Sequence, residues 1–217
     1  SDTRYGTLVA ANLVAPNHDH FFNFRLDLDV DGKANSVVAA RLQPEKPSTD
    51  RPQIWVVNQQ AILSEKKARI RFDPGAPTRY LITNPGSKGT LGHVTSYVIR
   101  PQGYTSSLLN PDELAAKKNP YIQNHLWITP YNKAERYPGG DHVFLGKGGD
   151  TLVQWTQRDR PLANRDLVAW YTLGTHHVPR LEDWPVMPTH WTGFELVPFN
   201  FFAENPALAI EPTPAAQ

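Results

Sequence analysis

The chain has 217 residues, with 22 basic and 21 acidic side chains, a formal net charge of +1 and no cysteine. This near balance of charge argues against a nucleic-acid or anionic-membrane partner, and the missing thiols exclude disulfides and thiolate metal sites. No apolar run is long enough to cross a membrane, and the length fits one large domain or two small ones.

Most of the predicted elements are short strands, because 20 prolines and 14 glycines interrupt the period-two patterns at close intervals. The predicted strands cover residues 4–14, 18–30, 35–42, 54–60, 79–84, 95–101, 124–129, 152–155, 165–174 and 193–202. A turn at Asp31-Gly32 would make strands 18–30 and 35–42 a hairpin, and another turn is predicted at residues 84–86. One short helix is predicted at residues 112–118, where acidic residues precede basic ones. We therefore predict an all-β fold, a large and mostly antiparallel β-sandwich with few short helices.

The strand predicted at residues 18–30 separates two kinds of metal-binding chemistry onto opposite faces. His18 and His20 share its apolar face, and their Cα atoms should lie roughly 6.5–7 Å apart, close enough for both rings to bind one ion. The other face carries three carboxylates, a type of ligand that suits calcium or manganese, at Asp27, Asp29 and Asp31. The plainer interpretation is two histidines near a surface, a solvated acidic face and an aspartate that only caps the turn.

A stable site at the two histidines needs a third ligand from elsewhere in the chain. The candidates are His93, His125, His142, His176, His177 and His190. The long apolar strand 165–174 is predicted to be buried on both faces. The position of His177, just after that strand, favours it as the third ligand, because a side chain there is well held. Spacing alone leaves the neighbouring His176 equally open.

No other motif in the sequence points to chemistry. Nucleophile-elbow, Walker and dinucleotide patterns are absent, and the glycine-rich run at residues 146–150 is interpreted as part of a surface loop. Glu182 and Asp183 could be catalytic carboxylates, but a pair at a turn is more often structural and bonds Arg180 or caps backbone amides. The plainer interpretation of Asp166 is an exposed strand start. The aromatic residues near the end of the chain are expected in the core, namely Trp170, Trp184, Trp191, Phe199, Phe201 and Phe202.

Taken together, several segments resemble the copper-containing primary amine oxidases. The stretch His18-Asp19-His20, followed by residues 23–32, resembles that family's copper-ligand strand, and His177-Val178-Pro179-Arg180 with residues 182–188 resembles its third-ligand segment. Phe199-Asn200-Phe201-Phe202 with Asn205-Pro206 resembles its C-terminal motif. Residues 5–8, 72–75 and 125–129 also fit the bacterial members, so the resemblance covers nearly the whole chain.

The resemblance implies two metal sites and a fold. Copper would be bound by His18, His20 and His177, the histidine directly before the Val-Pro-Arg stretch. A second site for calcium or manganese would use the side chains of Asp27, Asp29 and Asp166 with the carbonyls of Leu28 and Leu167. The family fold is a large catalytic β-sandwich, or supersandwich, in a tight homodimer. Since the segment from Asp166 to His177 would complete both sites, the two strands are expected to lie close together.

The cofactor of this family is topaquinone, made from a tyrosine in an Asn-Tyr-Asp/Glu motif, and none of the eight tyrosines here follows an asparagine. The family's catalytic aspartate also lies upstream of the copper strand. We therefore expect residues 1–217 to be the C-terminal portion of the catalytic domain, incomplete and inactive without an upstream segment, with no catalytic residue in this chain.

The resemblance implies that the complete enzyme converts a primary amine, O₂ and water into an aldehyde, ammonia and hydrogen peroxide. Likeness to bacterial members favours a periplasmic or secreted enzyme. Two alternatives remain: a non-catalytic, metal-stabilised β-sandwich that serves as a binding module, and a zinc or copper enzyme that works at the three histidines without a quinone.

Overall fold

The computed structural model describes residues 2–50, 54–142 and 149–211. The strands are β1 (Gly6–Ala10), β2 (Leu13–Pro16), β3 (His18–Leu28), β4 (Ser36–Pro44), β5 (Trp55–Ile62), β6 (Arg69–Ile70), β7 (Thr78–Lys88), β8 (Val94–Pro101), β9 (Leu126–Pro130), β10 (Leu167–His177) and β11 (Phe194–Phe199). The α-helices are α1 (Leu114–Lys118) and α2 (Leu152–Trp155), and single 3₁₀ turns occur at Pro120–Gln123, Thr156–Arg158, Leu181–Asp183 and Pro206–Ala209. No helix in these ranges is both long and apolar enough to cross a membrane.

Two antiparallel sheets pack face to face to form the body of the protein. One has the strand order β3-β10-β9-β6 and the other β11-β8-β7-β4-β5, while β1 and β2 form a separate hairpin. The main core lies between the sheets, with Val37, Ile82 and Ile99 on one side and Leu126, Ala169 and Tyr171 among the residues of the other. This arrangement confirms the prediction of a mostly antiparallel β-sandwich with few short helices.

Strand β10 is the central element, and both of its faces are buried. Its first eight residues are all buried, with Ala169 and Tyr171 in the core between the sheets. Val168 and Trp170 point the other way and pack under helix α2. A strand that is covered on both faces has a nearly continuous apolar sequence. The burial predicted for residues 165–174 is confirmed for residues 167–174, whereas Arg165 is exposed and Asp166 is half-buried.

The chain around Asp31-Gly32 is a corner between the two sheets, so the predicted hairpin is wrong. Strand β3 pairs with β10, whereas β4 pairs with β5 and β7 in the other sheet. Val30 and Val37, on either side of the corner, are both 1% exposed and lie in the core between the sheets. The Asp-Gly pattern predicts a turn, but burial of both valines favours a chain that crosses from one sheet to the other.

Four further predictions differ from the structure. The predicted strand 4–14 is the β1–β2 hairpin, which turns at Asn12 with a positive φ of 59°. The predicted turn at residues 84–86 is an irregularity inside β7, where the Asn84 side chain accepts the Gly86 N–H. Residues 152–155 form a helix rather than a strand, because Leu152 and Trp155 then lie three apart on one buried side.

The fourth difference concerns the aromatic residues near the end of the chain. Trp170 is fully buried, but Trp184, Trp191 and Phe202 are 51%, 92% and 52% exposed, so the core prediction is wrong for these three. The predicted helix at 112–118 is present as α1. Within the predicted loop at 136–150, residues 143–148 lie outside the described ranges, and so does most of the glycine-rich run.

His125 is buried beside the core as a neutral imidazole, and this gives a pH prediction. It is 4% exposed, its Nδ1 accepts the Phe72 N–H at 2.9 Å, and burial lowers its pKa. Below about pH 6.5 the unfolded state therefore binds a proton that the folded state does not, so stability falls as the pH decreases. We expect His125→Asn, whose amide oxygen can replace the Nδ1 acceptor, to lose less stability between pH 7.5 and 5 than the unaltered protein.

Urea unfolding at the two pH values measures this difference, with a maximum slope of about 1.4 kcal/mol per pH unit for one group. His93→Asn is the control, because His93 is exposed. A pH dependence that is unchanged by His125→Asn would contradict the prediction.

Candidate metal centre

The pairing of β3 with β10 brings potential metal ligands together at both ends of the strand pair. The strands have eleven residues each and run antiparallel, so that His18 lies opposite His177 and Leu28 lies opposite Leu167. Histidines therefore meet at one end of the pair and carboxylates at the other. The expectation that these strands lie close together is confirmed.

Three imidazoles converge at the histidine end. The ligand nitrogens of His18, His20 and His177 all lie within 4.8 Å of one another, and His18 Nε2 lies 3.3 Å from His177 Nδ1. When two nitrogens bind the same ion at 2.0–2.1 Å in a tetrahedral site, the two nitrogens are about 3.3 Å apart. The spacing of this nitrogen pair therefore fits a shared metal ion.

Neighbouring acceptors set the proton positions on two of these rings. His18 Nδ1 lies 2.8 Å from the Pro16 carbonyl oxygen, and His177 Nε2 lies 3.0 Å from Asp183 Oδ2. Since a carbonyl and a carboxylate only accept hydrogen bonds, both of these nitrogens carry the proton and donate it. The other nitrogen of each ring is then a bare lone pair, and these two lone pairs face each other. A cation between them removes that repulsion, so the residues fit a metal ion.

The alternation of side chains along β10 separates His177 from His176. His177 is 6% exposed and lies on the face that carries His18 and His20. The neighbouring His176 points to the other face, where its Nδ1 lies 2.6 Å from Asp19 Oδ1. Spacing in the sequence left both histidines open, because it contains no information on the register between distant strands.

Asp183 contacts one of the three histidines, although the sequence favoured a structural role for it. Its carboxylate does accept the Arg180 backbone N–H, as expected, but the same oxygen also accepts the proton of His177. The hydrogen bond from His177 is the main reason that the pKa of Asp183 is lowered to about 2. A carboxylate that orients a metal-binding histidine is a common outer partner in metalloproteins. No sequence pattern predicts the contact between His177 and Asp183, because the two residues are six positions apart across a turn.

The remaining candidate histidines are not part of this group of three. His190 is exposed and lies beside His177 and Asp183, with its ring 5.1 Å from that of His177. His125 is the buried acceptor for Phe72. Within the described ranges, neither His93 nor His142 joins a group of three potential ligands.

The carboxylate end gathers Asp27, Asp29 and Asp166, whose oxygens lie within 4.8 Å of one another. The backbones of Leu28 and Leu167 lie opposite each other at the same end. Asp31 is not in this group, because its carboxylate accepts a hydrogen bond from the Ser87 hydroxyl. Oxygen ligands of this kind suit hard divalent cations.

A lysine for which no role was predicted contacts the acidic group formed by Asp27, Asp29 and Asp166. The Nζ atom of Lys33 lies 3.1 Å from Asp166 Oδ2. The hydrogen bond and charge of Asp166, followed by the charges of Asp29 and Asp27, raise the pKa of Lys33. Asp27 has a second basic neighbour in Arg25, at 3.3 Å.

Comparison with known proteins identifies one family. The family model described as copper amine oxidase, enzyme domain, matches residues 1–217. The copper-containing amine oxidase alpha 2, peroxisomal, of Arabidopsis thaliana is 42% identical over 215 residues, covering 97% of this chain and 32% of that protein. The primary amine oxidase of Klebsiella aerogenes is also 42% identical, covering 95% of this chain and 28% of that protein.

Solved structures give the same result. The copper-containing benzylamine oxidase from Hansenula polymorpha matches with a TM-score of 0.86 at 28% identity, covering 95% of this chain and 33% of that one. The amine oxidase of Aspergillus nidulans has a similar fold, with a TM-score of 0.83 at 21% identity, covering 95% of this chain and 29% of that one. The chain thus spans about a third of the length of the relatives it matches.

Proposed function

The chain belongs to the copper amine oxidase family, and from that membership we propose that it is the copper-binding part of a primary amine oxidase. The proposed reaction of the complete enzyme converts a primary amine, O₂ and water into an aldehyde, ammonia and hydrogen peroxide. In this proposal the copper ligands are His18, His20 and His177.

One observation carries the copper assignment, namely the pair of unprotonated nitrogens on His18 and His177 that face each other at 3.3 Å. Imidazole is a ligand that suits copper and zinc, and the family membership favours copper. When bound there, copper would supply the redox chemistry with O₂ by which this family makes topaquinone from a tyrosine.

The protein's own contribution is to hold the ligands in position. The Pro16 carbonyl fixes the proton of His18 on Nδ1, and Asp183 fixes the proton of His177 on Nε2. Since β10 is buried on both faces up to Gly174, the backbone that leads to His177 has little freedom to move. These contacts would keep the site in its binding geometry before the metal arrives, which reduces the entropic cost of binding.

We propose that the quinone and the catalytic base come from a segment outside residues 1–217. None of the eight tyrosines of this chain follows an asparagine, so no tyrosine here fits the motif of the cofactor. Exposed apolar side chains in the segment after Asp183 also support a covering partner, since Trp184, Val186, Met187 and Trp191 are between 46% and 92% exposed. The proposed partner is the upstream segment of the same enzyme, within a homodimer.

The second metal in this proposal is calcium or manganese at the carboxylate end of β3 and β10. The side chains of Asp27, Asp29 and Asp166 would bind it, together with the carbonyls of Leu28 and Leu167. The grouping of the three carboxylates within 4.8 Å supports this assignment.

Staining of the purified material tests the proposed function. A redox-cycling quinone stain, or reaction with phenylhydrazine, should detect topaquinone on a polypeptide longer than residues 1–217 or on a chain that copurifies with it. Mass analysis of the stained band identifies that polypeptide. The same preparation made without copper is the control and should remain unstained.

Two results would favour other functions. Bound metal with no quinone and no partner would favour a non-catalytic, metal-stabilised binding module. Turnover by metal-loaded protein that contains no quinone would instead favour an enzyme that works at the three histidines alone.

A further inference from the structure

We infer that Lys33 is an internal competitor for the second metal: its ammonium group holds the acidic group in the absence of a divalent cation and has to withdraw when one binds. This inference rests on the second metal site proposed above. It concerns a residue to which neither the comparisons nor the sequence patterns give a role.

The first support is the position of the ammonium group. Lys33 Nζ lies 3.1 Å from Asp166 Oδ2, and Asp166 is one of the three carboxylates whose oxygens converge within 4.8 Å. The oxygen that contacts Lys33 therefore belongs to the proposed ligand set. A calcium ion binds oxygen at 2.3–2.6 Å, so the ion and the ammonium group would compete for the same carboxylate.

The second support is the corner that presents Lys33. The buried Asn35 side chain accepts the Val30 N–H and donates to the carbonyls of Val30 and Gly32. The backbone of Asn35 exchanges two hydrogen bonds of 2.8 Å with Arg165, next to Asp166. Hydrogen bonds therefore hold the backbone on both sides of Lys33 against the start of β10. This backbone position places the lysine side chain within reach of Asp166.

The third support is the contrast with Arg25, the basic residue that bonds Asp27. Its guanidinium lies 5.5 Å from the ring centre of Tyr131 and 5.6 Å from that of Trp170, while it also bonds Asp27. Arg25 is held from three sides, whereas the Lys33 side chain is 72% exposed and has no ring contact among the described residues. Lys33 is the cation that can move into solvent at little cost.

The expected effect on affinity is modest, because an exposed ion pair is screened by water. The range of energies measured for such pairs corresponds to a factor of about two to five. We therefore expect Lys33→Met to bind Ca²⁺ about two- to five-fold more tightly than the unaltered protein. Lys33→Arg keeps the charge and should bind Ca²⁺ like the unaltered protein.

Isothermal titration of the purified protein with Ca²⁺, after removal of bound divalent ions by a chelator, tests this inference. Calcium is the probe because it prefers oxygen ligands and does not compete for the histidines. Lys67→Met is the matched control, since Lys67 is exposed on the β5–β6 connection. Asp166→Asn should abolish or strongly weaken binding, which shows that the titration reports this site.

Three outcomes are distinct. Tighter binding by Lys33→Met alone supports the inference. Equal binding by Lys33→Met and the unaltered protein, with loss in Asp166→Asn, would leave the metal site standing and overturn the role of Lys33. If no variant binds Ca²⁺ at any accessible concentration, both the calcium site and its competitor are overturned.

Discussion

Replacement of His177 by alanine is expected to abolish copper retention. His177 contributes one of the two facing nitrogens in the group and is nearly fully buried, so its loss removes a ligand that the fold holds in place. Loss of an outer partner alone typically weakens metal binding by about 10- to 100-fold, and loss of a ligand should exceed that range. Copper content after dialysis, measured by atomic absorption, and titration with Cu²⁺ give the result.

Two neighbouring substitutions complete a graded series. His176→Ala should retain copper, because His176 lies on the other face of β10 and contacts Asp19 instead. Asp183→Asn should retain copper with affinity lowered by about 10- to 100-fold, since it weakens the acceptor for the His177 Nε2 proton but removes none of the three histidines. If His176→Ala loses copper and His177→Ala retains it, the ligand assignment is wrong.

Replacement of Arg160 by methionine is expected to lower the free energy of unfolding by about 3–5 kcal/mol, the usual cost of breaking a buried ion pair. Arg160 bonds Glu65 at 2.7 Å and Glu135 at 2.8 Å, and those side chains are 0% and 4% exposed. Burial by itself lowers the pKa of Arg160, but hydrogen bonds and charges from both glutamates raise it overall. Without the guanidinium, two buried carboxylates would be left without their main partner. Equilibrium urea unfolding measures the change.

Arg158 provides the matched control for this prediction. It contacts the same Glu135, at 3.4 Å, but its side chain is 58% exposed. Exposed ion pairs contribute about 0–1 kcal/mol, so Arg158→Met should change stability little. Equal losses in the two variants would show that burial of the pair is not what determines its contribution.

The expected loss in Arg160→Met is large on the scale of the whole protein, because domains are stable by only about 5–15 kcal/mol. The three residues join distant parts of the chain, since Glu65 and Arg160 are 95 residues apart and Glu135 and Arg160 are 25 apart. This ion-pair group therefore links the connection between β5 and β6 to the connection between β9 and β10.

The sequence by itself determined most of the strands and the two faces of the strand that carries both candidate metal sites. Alternation in residues 18–28 put His18 and His20 on one face and Asp27 on the other, and the structure has that strand as β3. The long apolar run at 165–174 likewise predicted a strand buried on both faces. These features depend on the period-two geometry of a strand and on solvent exclusion, both of which are local.

Only the tertiary structure decided which distant residues meet on those faces. Alternation fixes the face of a side chain within its own strand but leaves the register against another strand open. Spacing could not separate His176 from His177, although the position at the end of a long apolar strand and the resemblance both favoured His177. The pairing of His177 with His18 places it beside the other two rings. The contacts of Asp183 and Lys33 depend on a turn and a corner whose folding no pattern reveals. The corner at Asp31-Gly32 joins two sheets because burial of Val30 and Val37 in a shared core is a property of the packed molecule, not of the local sequence.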